Sequence, residues 1–214
     1  MKYLLQTNSL TKQYGRQKAV NAVNIHIRQG DIYGLIGRNG AGKTTLLKML
    51  SGLAAPTEGD FTLYGKSGKE AYRCLSRVGT LIERPGIYPN MSAAENLRVK
   101  CLAMGIRKKG EIEEILDIVG LGDTGKKKVK NFSLGMKQRL GIALALVGNP
   151  DLVILDEPIN GLDPQGIAEI RETLSRLNSE RNITFIISSH ILEELSKIAT
   201  HYGIIHDGVL LQEL

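Results

Sequence analysis

Two short segments of the chain carry the residue types that handle phosphate and metal. Gly37-Arg38-Asn39-Gly40-Ala41-Gly42-Lys43-Thr44 fits the pattern G-x-x-x-x-G-K-[ST]. Its glycines let the backbone fold tightly, so that successive N–H groups point inward at phosphate oxygens. A helix starting there, with Thr45 in its first turn, adds the positive end of its dipole. Lys43 has the reach for β- and γ-phosphates, and the Thr44 hydroxyl can sit on Mg²⁺. Far downstream, the apolar run Leu152-Val153-Ile154-Leu155 ends in Asp156-Glu157-Pro158. A strand apolar at successive positions is buried on both faces, and ligands bind at the C-terminal ends of such strands. Asp156 would reach Mg²⁺ opposite Thr44, and Glu157 would sit by the γ-phosphate, placed to polarise an attacking water as general base. Either segment alone has a plainer reading, as a glycine-rich turn or a polar turn after a strand. Together they point to a bound nucleoside triphosphate.

The elements needed to hold these residues are legible around them. An apolar run over residues 32–36 precedes the glycine loop as a strand, and residues 45–53 continue as a helix. Strands are expected at 1–8, 19–28 and 31–36, joined by 61–64 after the first helix. Further core strands are expected at 78–82, 152–155, 183–187 and 202–206. A short final strand at 209–212 would follow a hairpin turn at Asp207-Gly208. The stretch 92–120 reads as two helices broken near 105–110, with Ser92 as an N-cap. Apolar β-branched runs alternating with helices argue for an α/β fold with a mainly parallel core sheet. The closely spaced opening strands argue for an antiparallel N-terminal β-subdomain, and residues 84–148 for a helical subdomain inserted in the core.

The 214 residues suit one domain and can bury a sizeable core. Hydrophobic residues at 42% and charged residues at 23% argue against a disordered chain. The longest apolar stretches are too short to span a bilayer, and the opening Met1–Asn8 run is too short for a signal peptide. The expectation is a cytosolic chain that another protein would have to hold at a membrane. Cys74 and Cys101 stand alone, which argues against a disulfide framework or a zinc site. A net charge of +6 fits a phosphate ligand but decides nothing by itself. With aromatics at 5% and no Trp, a base-stacking platform is not expected. The basic run Lys126-Lys127-Lys128-Val129-Lys130 reads either as a solvated loop, the commoner case, or as an anion contact.

These motifs, with those between and after them, resemble the ATP-binding subunit of ABC transporters over nearly the whole chain. Asn131-Phe132-Ser133-Leu134-Gly135-Met136-Lys137-Gln138-Arg139 resembles the family's signature segment. Asn160-Gly161-Leu162-Asp163 resembles its D-loop, and His190 follows a core strand where the family has its switch histidine. Tyr14 lies where the family places an aromatic against adenine. The resemblance implies ATP and Mg²⁺ as cofactors and hydrolysis by two domains facing head to tail. Each ATP would be held by the glycine loop of one copy and by Ser133 and Gly135 of the other. It also implies a transmembrane permease as partner, a position on the inner face of the cell membrane, and no direct contact with nucleic acid. His190 would then hold the γ-phosphate and the water geometry.

Two departures from the family pattern stand out. Leu134 and Met136 replace a Gly and a Gln of the signature. Glu83 stands where the family has a glutamine, and a carboxylate can take Mg²⁺ or accept from water but cannot donate as an amide does. We read Glu83 as a working residue of the loop in which the family has that glutamine. Glu83-Arg84-Pro85-Gly86-Ile87-Tyr88-Pro89 and Ser133–Gly141 resemble the bacitracin- and lantibiotic-type branch of peptide exporters and self-immunity pumps, whose subunits usually continue further than Leu214. Ile87, Tyr88 and Met91 are candidates for the groove that the resemblance implies for the permease. Two other functions would share the glycine loop. A non-transport ATPase of the same family, acting on nucleic acid or the ribosome, would carry a coiled coil or a second tandem copy. A small-molecule kinase would give no reason for residues 133–139.

Overall fold

The three most continuously apolar strands form the centre of the molecule. In a computed structural model, which describes residues 3–107 and 110–214, β4 (Ile32–Ile36), β7 (Leu152–Asp156) and β8 (Thr184–Ser189) lie side by side and almost wholly buried. The full order is β10-β9-β4-β8-β7-β6, with β6 (Val78–Leu81) and β9 (His201–His206) also parallel to the centre. Only β10 (Val209–Glu213) runs antiparallel, as the return of a hairpin from β9. Asp207 and Gly208 turn that hairpin with φ of 46° and 79°, the left-handed backbone that a tight two-residue turn requires.

Side chains of the central strands alternate between two cores. Val153, Leu155, Phe185 and Ile187 pack with α3 (Ala93–Ala103), α4 (Glu111–Ile118), α5 (Leu134–Leu146) and α6 (Pro164–Arg181) on one face. Leu152, Ile154, Ile186, Tyr33 and Leu35 pack on the other with α1 (Lys43–Leu50) and a second sheet. That second sheet is antiparallel throughout. Its β1 (Tyr3–Tyr14) pairs with β2 (Gln17–Val23), β3 (His26–Arg28) and β5 (Glu58–Leu63). The α/β class with a mainly parallel core sheet and an antiparallel N-terminal sheet is therefore as expected.

Local details differ from the sequence expectation. Met1 and Lys2 of the expected first strand, and Lys108 and Lys109 of the expected helix break, lie outside the described residues. β1 does not end at residue 8 but runs to Tyr14. Ser9 takes a left-handed φ of 47°, and shifts of register between Asn8 and Thr11 absorb the polar interruption. The expected strand 19–28 is two strands. The break falls at Asn24 and Ile25, just past a left-handed Ala22 (φ 49°), and Asn24 donates to the Ala22 carbonyl at 3.2 Å and accepts from Ser9 N at 2.7 Å. Helices α2 (Gly68–Cys74) and α7 (Leu192–Leu195) were not expected.

Two helix starts follow directly from their caps. Ser92 Oγ accepts from Glu95 N at 3.2 Å while Glu95 Oε2 accepts from Ser92 N at 2.6 Å, a reciprocal box that fixes the start of α3. The Ser92 amide holds the Glu95 carboxyl down to about 2. Lys128 adds an ion pair to Glu95 at 3.2 Å, and Lys127 lies 5.8 Å over the Phe132 ring. Part of the basic run thus has partners inside the molecule. Ser133 caps α5 by accepting from Met136 N at 3.2 Å. Among the described residues, no helix is long and apolar enough to cross a membrane.

Candidate functional site

The glycine loop turns from the end of β4 into α1. Gly42 is the N-cap of α1 at φ 105° and brings no capping side chain, so the first-turn amides, which have no intrahelical partner, face the loop. No larger residue fits at this position. A Cβ on Gly42 would run into the Ala19 carbonyl oxygen of β2, and one on Gly37 would lie 2.5 Å from the Ile205 carbonyl oxygen of β9. From the other side, Gly208 N donates to the Ala41 carbonyl at 2.9 Å. The loop borders a cleft of about 370 Å³, lined by Asn39 to Thr45 together with Lys18, Glu157 and Asp207.

Across this cleft the expected acids meet the expected cations. Thr44 Oγ1 donates to Asp156 Oδ2 at 2.8 Å. Lys43, itself buried, donates to the Gly37 and Arg38 carbonyls at 2.7 and 3.2 Å and lies 3.1 Å from Glu157 Oε1. That last contact counts as an ion pair only, and Glu157 Oε1 has no hydrogen-bond partner. The other Glu157 oxygen is 2.8 Å from His190 Nδ1. Lys43, Thr44, Asp156, Glu157 and His190 therefore form one connected group at the C-terminal ends of β4, β7 and β8.

A serine that the sequence does not single out ties this group together. Parallel register sets Ser188 beside Asp156. The fully buried Ser188 hydroxyl donates to Asp156 Oδ1 at 2.6 Å and accepts from Glu157 N at 2.9 Å. It thus anchors Glu157 in its left-handed backbone, φ 49°. Ser188→Ala is expected to orphan a buried carboxylate oxygen and an amide, at a cost of about 2 kcal/mol in urea unfolding. ATP turnover should fall as well, since both acids lose their common fixture. Gln138 of α5 also approaches from the far side, with its Nε2 at 3.5 Å from the Glu157 carbonyl.

Other residues of interest lie elsewhere. Ser133 and Gly135 line a separate depression of about 430 Å³ with Arg139, Leu162, Asp163 and Glu169. Asp163 caps α6 there, its Oδ1 accepting from Gly166 N at 3.2 Å. Tyr14, at the end of β1, is 52% exposed with the Lys12 ammonium 5.2 Å from its ring centre. Glu83, just past β6, pairs with Lys48 of α1 at 2.5 Å. Tyr88 lines a groove of about 370 Å³ with Leu53, Leu81, Val99 and Leu144, and with Arg84 and Lys100. Ile87 instead packs against the helical core.

The residues present fit a magnesium nucleotide. Uncapped amides over a turn whose Gly37 and Gly42 leave no room for a Cβ match a polyphosphate, and two hard oxygen donors, Thr44 and Asp156, stand together at its edge. Among the described residues, no cluster of three His, Cys, Asp or Glu could hold a metal alone, and Mg²⁺ commonly takes only one or two protein ligands beside phosphates.

Strand, glycine loop, helix and strand-end acids in this arrangement define a P-loop nucleotide-binding domain. The profile of the ABC transporter family matches residues 20–160. The chain belongs to that family, as an ATP-binding subunit that hydrolyses ATP. It is 53% identical to the bacitracin transport ATP-binding protein BcrA of Bacillus licheniformis, over 100% of this chain and 70% of that one. It is 45% identical to the lantibiotic transport ATP-binding protein SrtF of Streptococcus pyogenes, over 98% and 90%. An ATP-binding cassette of an ABC transporter solved in its ADP conformation superposes with a TM-score of 0.89 at 25% identity, covering 100% of this chain and 91% of that one. A dimeric bacterial ABC transporter cassette superposes with a TM-score of 0.87, also at 25% identity, over 98% and 97%.

Proposed function

We propose that this chain powers the export of an antimicrobial peptide of the bacitracin or lantibiotic kind through a separate membrane permease. Two copies would face each other head to tail and clasp ATP between them. The observation that carries this reading is that one chain holds two half-sites. Lys43 and Glu157 line one cleft, with His190 against Glu157, and the Ser133–Gly135 tip lines another. A second copy would bring its tip to the first copy's cleft, where the Ser133 hydroxyl and Gly135 amide can donate to γ-phosphate oxygens.

Each residue then has a task. The amides from Gly40 to Thr45 take the phosphate oxygens, and Lys43 turns from the Gly37 and Arg38 carbonyls toward them. Thr44 and Asp156 would hold Mg²⁺, which when bound would neutralise phosphate charge. Glu157 accepts a proton from the attacking water, whose oxygen bonds to the γ-phosphorus as the bond to the bridging oxygen of ADP breaks. His190 orients that carboxylate through its 2.8 Å contact. Tyr14 offers its exposed ring to adenine, and Asp163 holds the turn that meets the other copy. Glu83 senses the nucleotide from the rim. Residues 84–148 act as the lobe that joins the cleft to the permease, and the groove around Tyr88 and Leu53 receives it at the inner face of the membrane.

Co-expression with a candidate permease tests this reading. The expected result is chain in the membrane fraction only when the permease is present, with raised tolerance to bacitracin or a lantibiotic. Membrane retention without a permease, or tight binding to a specific nucleic acid, would go against it.

A further inference from the structure

Beside the Lys43–Glu157 pair, α1 offers a second lysine to a second acid. Parallel register sets Leu81 beside Leu155, so Glu83 leaves β6 near the level at which Glu157 leaves β7. Both acids take left-handed backbone, φ 61° and 49°, which most side chains avoid. Each is met by a lysine of the same helix, Glu157 by Lys43 and Glu83 by Lys48. Thr44, one turn before Lys48 and so on the same helix face, bonds Asp156 between them. The Lys48–Glu83 side chains are 31% and 61% exposed, and such pairs add little to stability. Their alignment therefore needs a reason other than holding the fold. Charge supplies one, because an acid at position 83 brings to a polyphosphate site a negative charge that an amide would not.

We propose that Lys48 is a positioning residue of the ATPase, holding the Glu83 carboxylate and cancelling its charge beside the nucleotide so that an acid can work at this rim. The proposal rests on the reading of Glu83 as a nucleotide-sensing residue. Lys48 stays charged in this setting. Its hydrogen bond to Glu83 raises its pKa most, and the fields of Glu83, Tyr14 and Asp156 act in the same direction. Lys48 and Glu83 then work as one unit. Without the lysine, the acid repels the phosphates; without the acid, the lysine has nothing to compensate.

A double-mutant cycle on the full chain tests this, with MgATP affinity by titration calorimetry as the readout. Lys48→Met is expected to weaken MgATP binding about fivefold. In a Glu83→Gln background, the same change should cost less than about twofold, and Lys48→Arg should bind as the unmodified chain does. Melting midpoints should stay within about 2 °C throughout, as for an exposed pair. Equal losses from Lys48→Met in both backgrounds, no loss in either, or a loss matched by lower melting midpoints would overturn the proposal. If the unmodified chain itself bound no MgATP, the nucleotide reading would fall, and this one with it.

Discussion

Glu157→Gln is expected to slow ATP hydrolysis about a thousandfold while leaving the nucleotide bound. The substitution keeps the shape of the side chain, so the Ser188 bond to the residue 157 amide survives. An amide cannot take up the proton of an attacking water, and that is the step removed. Binding rests on other groups, the uncapped start of α1 and the buried Lys43. With hydrolysis blocked, ATP should hold two copies together. Phosphate release in a single turnover and gel filtration with MgATP measure the two effects. Hydrolysis within tenfold of the unmodified rate would assign the base to another residue.

Gly79→Val should be the most damaging change to the fold. α5 lies so close on β6 that a Cβ at Gly79 would run into the Ala145 carbonyl oxygen, with Pro150 Cγ only 3.1 Å away. The helix answers with a glycine of its own. A Cβ on Gly141 would lie 3.0 Å from a Leu81 methyl carbon and 3.1 Å from Pro85. Neither the backbone carbonyl nor the proline ring can swing aside as the end of a flexible chain could. Inserting a branched side chain there should cost about 3 kcal/mol or more. For a chain of this length that lowers the melting midpoint by roughly 10 °C. A midpoint within about 2 °C of the unmodified chain would mean that the helix can lift from the sheet at little cost.

The cleft was legible where its chemistry is local in sequence. The loop from Gly37 to Thr44 declares itself by glycine spacing and a lysine. Asp156 and Glu157 declare themselves by ending an apolar run, and, away from the cleft, Ser92 by preceding a helix. What could not be read depends on which strands become neighbours. Ser188 and Ser189 look alike in sequence. Only the pairing of β7 with β8 gives Ser188 to Asp156. Lys48 looks like an ordinary polar position of an amphipathic helix until β6 delivers Glu83 to it. The errors in β1 and β2 have a related cause. Asn8 and Ser9 look like a strand end, yet a shift of register absorbs them, whereas the single strand expected over 19–28 breaks at Asn24 and Ile25.

The hairpin turn between β9 and β10 has a bearing on the grip for nucleotide. Gly208 gives its N–H to Ala41 and its carbonyl to Asn21 N, at 2.9 and 2.8 Å. This turn thus buttresses the cradle from outside, fastening it to the antiparallel sheet. Much of the ordering entropy of the cradle is therefore met when the polypeptide folds and not when a ligand arrives. Thermodynamic reciprocity follows: whatever tugs on that buttress loosens the ligand, and the occupied cradle shields the buttress from amide exchange.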